Sequence, residues 1–190
     1  MNINRLISSW KTVFSIADLA FLLDMKHEQS LRNYLSRCGK TWVLHSLAYG
    51  LRWLEKYDTY ELASKLKKKS YISLETVLSK HGVIYQDYGQ TIFCVSDNTI
   101  KKKAGEYTYV YHKIADKILL NPLGINHMWN YAIASVERAI CDRLYLSPWY
   151  YFDNLEQVSV EKLEEIGQMY PRTVRLAISQ QISNASQRHA

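Results

Sequence analysis

Residues 27–37 combine side-chain types that suit recognition of nucleic-acid bases. Apolar residues recur there at helical spacing, so one face of a helix can be buried by Leu31, Tyr34, Leu35 and Cys38. Arginine and asparagine make paired hydrogen bonds to the edges of guanine and adenine, and both types occur on the outward face. We predict that this face contacts DNA through Gln29, Ser30, Arg32, Asn33, Ser36 and Arg37.

Glu28 lies on the same outward face and works against this prediction. Its carboxylate repels phosphate unless it accepts a hydrogen bond from the amine of a cytosine. Short helices followed by a hairpin also occur in modules that bind proteins. A protein-interaction module is therefore the alternative for this part of the chain.

Motifs of common catalytic sites are missing from the sequence, including GxxxxGK[ST], GxGxxG, HExxH, GxSxG and CxxC. His112 and Asp116 have helical metal-ligand spacing, but His112 lies in a strand-like run, which favours an ordinary histidine. We therefore predict no enzymatic activity, no metal and no cofactor. The remaining enzymatic alternative is a nuclease that uses dispersed carboxylates such as Glu75, Asp87, Glu106 and Asp116.

A helix before residue 27 is predicted by three signals that agree on its start. Ser15 can cap it, Asp18 completes a capping box, and Phe14 and Leu19 stand at the positions of a hydrophobic staple. The apolar spacing ends near Asp24, and a tight turn leads into the second helix. Two helices in this arrangement place the second one in a major groove.

A hairpin is predicted after Gly39, from an apolar-rich run at 42–47, a turn at 48–50 and a second run at 51–54. It would form the wing of a winged helix-turn-helix. We expect Lys40, His45 and Arg52 to meet phosphates there, since such contacts position a protein on the duplex without reading its sequence.

The rest of the chain predicts a larger α+β domain. Asp58 and Glu61 form a second capping box, for a helix that runs toward Lys69, and Ser73 caps a helix that Gly82 ends. Strands are predicted at 91–96, 107–113 and 118–120, and helices at 135–146, 159–169 and 171–182. The fold class is α+β, with a DNA-binding domain at 1–56 and a larger domain at 57–190.

Charge and cysteine content indicate which partners and which cellular compartment suit the protein. The net charge is +6, and residues 1–56 hold eight Lys or Arg against four acids. We expect the lysines at 65 and 67–69 to form a solvated helix end and those at 101–103 a solvated turn. We expect the charged residues at 137, 138, 142 and 143 to form surface or inter-element ion pairs. Three cysteines without CxxC spacing, no membrane span and no signal peptide predict buried thiols and a cytoplasmic protein.

The order of these features resembles the AbiEi family of antitoxins, the regulatory halves of bacterial type IV toxin-antitoxin and abortive-infection (phage-defence) systems. The resemblance spans residues 13–170 and rests on three segments: 14–23 (FSIADLAFLL), 60–84 (YELASKLKKKSYISLETVLSKHGVI) and 131–146 (YAIASVERAICDRLYL). The chain differs where the family often has proline before SYIS, since Lys69 stands there.

The resemblance implies an N-terminal winged helix-turn-helix that binds inverted repeats in its own promoter and represses transcription. It also implies that the larger domain antagonises a nucleotidyltransferase-like toxin of the AbiEii type, functionally and in some cases by direct contact. Inverted repeats would place two copies on each site, so pairing on DNA is expected. A transcriptional regulator without a toxin partner is the alternative role.

Overall fold

A computed structural model describes residues 3–25, 27–38, 44–46, 48–53 and 56–188. Its N-terminal part contains the helices α1 (Ile3–Ile7), α2 (Ile16–Leu22) and α3 (Glu28–Cys38). The short strands are β1 (Val13–Phe14), β2 (His45–Ser46) and β3 (Arg52–Trp53), which form an antiparallel sheet in the order β1-β3-β2. Strand β1 was not predicted, because two residues are too few to show an alternating pattern.

The capping box that opens α2 is present as predicted. The Asp18 N–H donates to Ser15 Oγ at 3.1 Å, and the Ser15 N–H donates to Asp18 Oδ2 at 2.9 Å. This exchange satisfies amide groups that a helix start leaves without partners. The small core that holds α1, α2 and α3 together is formed by Leu6, Phe14, Leu19, Leu31, Leu35 and Leu44.

The predicted hairpin at 42–54 is confirmed for its described residues. Strands β2 and β3 pair antiparallel, and the residues between them form a turn at Ala48–Gly50. Tyr49 and Gly50 both have positive φ, of 62° and 73°, which is the backbone of a tight hairpin turn. Lys40 and the side chain of Cys38 lie outside the described residues, so their predictions stay open.

The larger part of the molecule builds a mixed sheet in the order β6-β7-β5-β4-β9-β8. Its strands are β4 (Ser70–Ile72), β5 (Thr91–Ser96), β6 (Ile100–Ala104), β7 (Tyr107–Lys113), β8 (Ile125–His127) and β9 (Ala132–Ala134). The helices are α4 (Thr59–Leu66), α5 (Glu75–Lys80), α6 (Asp116–Leu119), α7 (Val136–Leu146), α8 (Val160–Gly167) and α9 (Arg172–Arg188). The α+β fold class is confirmed.

Helices cover both faces of this sheet. On one face, Tyr111 of β7 donates its hydroxyl to the carbonyl oxygen of Ala63 in α4 at 2.7 Å. On the other face, Tyr71 of β4 reaches Asp142 of α7, and α5 packs on β5. Helices α8 and α9 pack in turn against α7. In the described chain no helix has the length and apolar character that crossing a bilayer requires.

Several local predictions are wrong. Helix α4 ends at Leu66 rather than near Lys69, because the chain enters strand β4 at Ser70. Residues 118–120 are not a strand: Ile118 belongs to α6, where it and Leu119 are both buried. The lysines at 101–103 lie in strand β6 rather than in a turn.

One predicted cap and one half of a predicted capping box are also wrong, because the side chains of Ser73 and Glu61 bind tertiary partners. Ser73 does not cap α5; its hydroxyl donates to Asp142 Oδ2 at 2.7 Å, and Leu74 at the helix start has a φ of 57°. Asp58 caps α4 as predicted, but Glu61 does not complete the box, since its carboxylate binds Thr12. The predicted stop at Gly82 agrees with its positive φ of 66°.

Arg138 and Asp142 of α7 belong to a buried polar network rather than to surface ion pairs, whereas Arg143 forms the predicted inter-element pair with Glu75 of α5 at 3.0 Å. Arg138 and Asp142 are both 0% exposed and lie one helical turn apart, with 3.6 Å between Arg138 Nε and Asp142 Oδ1. The Asp142 carboxylate accepts from Ser73, Tyr71 and Tyr170, and Arg138 donates to the Ile118 carbonyl oxygen at 2.7 Å. Because charged groups inside a protein need such partners, the network fixes α7 against β4 and α6.

The thiols of Cys94 and Cys141 are buried, as predicted. Burial raises the pKa of both thiols well above its ordinary value.

Candidate nucleic-acid interface

Helix α3 presents its predicted contact residues to solvent. Leu31 and Leu35 hold its inner face in the small core and Tyr34 packs beside them, so the positions on the opposite side of the helix point outward. The exposed side chains of this outer face are Gln29, Ser30, Arg32, Asn33, Ser36 and Arg37. The side chain of Glu28 lies outside the described residues, so its opposing effect stays a prediction.

An open cavity of about 370 Å³ joins α3 to the β2–β3 hairpin. Arg32 and Ser36 line it from α3, while Ser46 and Arg52 line it from the two strands. Its apolar floor consists of Ile16, Leu35 and Leu44. The structure thus brings together an arginine predicted to read bases and an arginine predicted to contact phosphate, which lie 20 positions apart in the sequence.

The Arg52 guanidinium is held in place across the hairpin. Its Nη1 donates to Ser46 Oγ and to the Leu51 carbonyl oxygen, each at 3.1 Å. A guanidinium has five N–H donors, so others stay available for a phosphate at the cavity mouth. His45, which was also predicted to meet phosphate, packs edge-on against Trp53, with 6.3 Å between ring centroids, and its predicted role stays open.

A second polar pair lies on the outer face of α3. Gln29 Nε2 donates to Asn33 Oδ1 at 3.2 Å, one helical turn away. This bond restrains both exposed amides, and it does not use the Asn33 amino group or the Gln29 oxygen. Such amides supply the donor and acceptor that the major-groove edge of adenine requires.

The start of α2 is tied to the larger part of the molecule through Asp18. Its carboxylate accepts from Lys11 at 2.8 Å and from Lys65 of α4 at 2.7 Å. Partial burial alone would raise the pKa of Asp18, but these ammonium groups and Ser15 hold that pKa well below its usual range. Lys65 is therefore an inter-element ion-pair partner rather than part of a solvated helix end.

A second tie runs through Glu61 of α4. Its Oε2 accepts from the N–H and the hydroxyl of Thr12, at 2.8 and 2.7 Å, and the Asp58 N–H donates to Thr12 Oγ1 at 2.8 Å. Glu61 is wholly buried, so the two bonds that its carboxylate accepts are partly shielded from water. Together with the Asp18 bonds they fix the direction in which α2 and α3 project from the larger sheet.

The β2–β3 hairpin also contacts the β6–β7 edge of the larger sheet. Lys102 Nζ lies 4.7 Å from the Tyr49 ring centroid and donates to the Leu66 carbonyl oxygen at 2.7 Å. Trp53 stacks on Tyr57 with 4.2 Å between centroids, and Gly105 of the β6–β7 turn lies directly against this stack. The division at 56/57 stays a prediction, since contacts of this kind join the two sides.

The four carboxylates of the nuclease alternative do not come together at one place, although Glu75 and Asp87 both line one open cavity of about 250 Å³. Glu75 pairs with Arg143 at 3.0 Å, and Asp116 pairs with Lys69 at 3.2 Å. Asp87 accepts from the Gly89 N–H at 2.8 Å, and position 106 lies in the β6–β7 turn. Over the ranges that the structure describes, no group of three or more His, Cys, Asp or Glu side chains is arranged to hold a metal ion.

Two lysines of the run at 67–69 also have partners. Lys67 pairs with Asp97 at 2.5 Å and Lys69 with Asp116, so this run is not simply solvated. Both pairs border an open cavity of about 550 Å³ at the carboxyl ends of β5 and β7, which Lys113 also lines. The opposite charges there largely neutralise one another.

No protein-family model matches this chain, and no curated protein matches it closely enough to count as a relative.

Proposed function

We propose that the protein binds duplex DNA selectively, with α3 as the recognition helix and the β2–β3 hairpin as the wing of a winged helix-turn-helix. The observation that supports this most is the exposed polar face of α3 beside Arg52, across one shared cavity. A helix of 11 residues that lies on a small core and is flanked by a hairpin has the size and setting of a major-groove reader.

The two elements would have different tasks. Arg32 and Asn33 are exposed neighbours on α3 and offer the two kinds of side chain that read guanine and adenine. Arg52, restrained on the hairpin, would contact the sugar-phosphate backbone beside them. Base contacts then supply the selectivity, and phosphate contacts supply most of the salt-dependent affinity.

The test compares Arg32→Ala and Asn33→Ala with Arg172→Ala on duplexes from the protein's own promoter. Arg172 is exposed at the start of α9, and replacing it by alanine removes the same charge as Arg32→Ala, so Arg172→Ala is a matched control. Each α3 variant should lose about 1–3 kcal/mol of binding free energy and discriminate less between sequences. If both α3 variants bind like Arg172→Ala, helix α3 does not read DNA.

We infer from the sequence resemblance that the biological role is that of an AbiEi-type antitoxin. The protein would repress its own operon by binding promoter inverted repeats, two copies to a site. Its larger domain would antagonise a nucleotidyltransferase-like toxin of the AbiEii type. The segments 60–84 and 131–146, which belong to that domain, support this inference.

Bacterial growth separates this role from that of a regulator without a toxin. The gene beside this one would be expressed from an inducible promoter, with and without this protein under separate control. An antitoxin restores growth, and the Arg32→Ala variant should still restore it, because promoter binding is not required when transcription is independent. A neighbouring gene that is harmless when induced would favour the stand-alone regulator.

A further inference from the structure

One face of the β6–β7–β5 part of the sheet presents lysines and rings together. Side chains on a strand alternate between faces, and Tyr111 marks the face toward α4. The strand register then aligns two rows on the opposite face: Lys103, Thr108 and Thr91 in one, and Lys101, Val110 and Phe93 in the next. His112 follows Val110 on the same face, which we name the lysine face.

The lysine face is only partly covered. Lys101 and Lys103 are exposed on the edge strand β6, while Thr108, Val110 and Phe93 are half-buried. Helix α5 packs on β5 on this side of the sheet. A sheet face that keeps apolar and aromatic side chains in water is a candidate binding surface, since sheets ordinarily bury such faces.

The charge of this face is positive. Neither Lys101 nor Lys103 forms an ion pair within the described residues, although lysines 65, 67 and 69 all do. Glu75 is a carboxylate that interacts electrostatically with His112 on this face. Glu75 is already paired with Arg143, at 3.0 Å, so it does not neutralise the lysines. The two ammonium groups at the sheet edge are therefore not neutralised from inside the protein, and an anionic partner would complement them.

Two aromatic rings lie on the same face as these charges: Phe93 is in the row of Lys101, on the far side of Val110, and His112 follows Val110 on β7. The Phe93 and His112 rings are nearly parallel, with an interplanar angle of 11° and 6.5 Å between centroids, and Tyr88 meets Phe93 edge-on at 5.1 Å. Rings beside a positive edge suit a polyanion with flat, unpaired groups, because bases can stack while phosphates meet lysines. A duplex does not fit this description, since its bases are stacked within the helix.

We propose that the lysine face binds single-stranded RNA. Lys101 and Lys103, two positions apart on one strand, contact successive phosphates, and a base stacks on Phe93 or His112. Thr91 and Thr108 are register partners in the row of Lys103, beside the row that holds Phe93, and their hydroxyls can bond the 2′-hydroxyl that distinguishes RNA from DNA. This site is independent of α3 and goes beyond the proposed binding of promoter duplex.

The test uses fluorescence anisotropy with a labelled, unstructured oligouridylate on the full-length protein. The variant Lys101→Ala/Lys103→Ala is compared with Lys117→Ala/Lys162→Ala, which removes the same charge from exposed positions on α6 and α8. The first variant should bind more weakly, and its salt slope should fall by about 1.4, or about 0.7 per lost phosphate contact. Equal binding by the two variants overturns the proposal.

Phe93→Leu tests the stacking part, because leucine keeps an apolar side chain but removes the ring. It should bind the oligouridylate about tenfold more weakly, a loss within the range for one stacked base. Ultraviolet crosslinking of the unaltered protein should attach RNA to strand β5 or β7. This experiment does not depend on the folding of any variant. Crosslinks confined to other segments contradict the proposal.

Two further arms test the choice of ligand. Oligothymidylate of the same length should bind more weakly than oligouridylate; equal affinity overturns the assignment to RNA. If Lys101→Ala/Lys103→Ala weakens binding to promoter duplex but not to oligouridylate, the lysines belong to the duplex footprint and the proposal is wrong. The Arg32→Ala variant should bind oligouridylate like the unaltered protein, so failure of the α3 assignment and failure of this one are distinguishable.

Discussion

Replacing Asp142 by asparagine tests whether the buried network on α7 holds the larger domain together. The carboxylate accepts hydroxyl bonds from Tyr170 at 2.6 Å, Ser73 at 2.7 Å and Tyr71 at 3.0 Å. It also neutralises Arg138, whose side chain is wholly buried. Asparagine keeps the shape of the side chain but removes the charge, so the Arg138 guanidinium is left without its anion.

The size of the effect follows from this burial. Breaking a buried ion pair by removing one partner destabilises a protein by about 3–5 kcal/mol, because the other charge stays buried and uncompensated. In a chain of this length that corresponds to a fall in melting temperature of roughly 6–20 °C. Ser73→Ala removes a single bond to the carboxylate and should destabilise by a smaller amount, about 1.5–3 kcal/mol.

Thermal and denaturant unfolding followed by circular dichroism measures these changes. Asp116→Asn is the matched control, since its ion pair with Lys69 is 65% and 40% exposed and should contribute about 1 kcal/mol or less. If Asp142→Asn unfolds at the same temperature as Asp116→Asn, the network does not stabilise the domain and the reasoning from burial is refuted.

Three other perturbations test the contacts that position the interface. Gly105→Ala should lower the free energy of unfolding more than Gly89→Ala does, in denaturant unfolding. Both glycines have positive φ, but only a Cβ at 105 would meet another group, the Tyr57 hydroxyl at 2.5 Å. Equal losses would show that the stack of Trp53 and Tyr57 tolerates displacement. Because the pKa of Asp18 is lowered on folding, its contribution to stability is present above about pH 4 and is lost as pH falls, so Asp18→Asn should show a flatter acid unfolding curve than the unaltered protein, and parallel curves would contradict this. Arg52→Ala should weaken binding to all duplexes alike and lower the salt slope by about 0.9, whereas a loss confined to one sequence would make Arg52 a base reader.

Local signals in the sequence predicted much of the fold. The capping box at Ser15 and Asp18 needs only neighbouring residues, and it is present. Strands β5 and β7 were predicted with their observed bounds, because most of their six and seven residues are β-branched or aromatic, which makes a strong local pattern. The exposed face of α3 was predicted from the same kind of evidence, the spacing of Leu31 and Leu35.

The elements that were missed depend on distant partners. Strands β4, β8 and β9 have three residues each, too few for an alternating pattern, and they exist because neighbouring strands pair with them. Ser73 has the sequence context of a helix cap, but a carboxylate 69 positions away takes its hydroxyl. Glu61 likewise has the sequence context of a capping box, but its carboxylate binds Thr12, which lies far away in the sequence.

The candidate sites divide along the same line. Residues of one helix could be assigned from periodicity, whereas the cavity that joins Arg32 to Arg52 requires the hairpin to fold back beside α3. The lysines at 101 and 103 lack neighbouring aromatic residues in the sequence. Only the register of β6, β7 and β5 places Phe93 and His112 on the same face of the sheet as these lysines.

Fluorescence anisotropy of the purified protein tests the central claim most directly. It would be measured on the duplex upstream of the protein's own gene and on a scrambled duplex, each at two salt concentrations. A reader that uses α3 should prefer the upstream duplex, and the preference should survive the higher salt, because base contacts do not depend on counterion release. Equal and salt-sensitive binding to both duplexes, or no binding, would contradict the claim and make a protein the partner of this face.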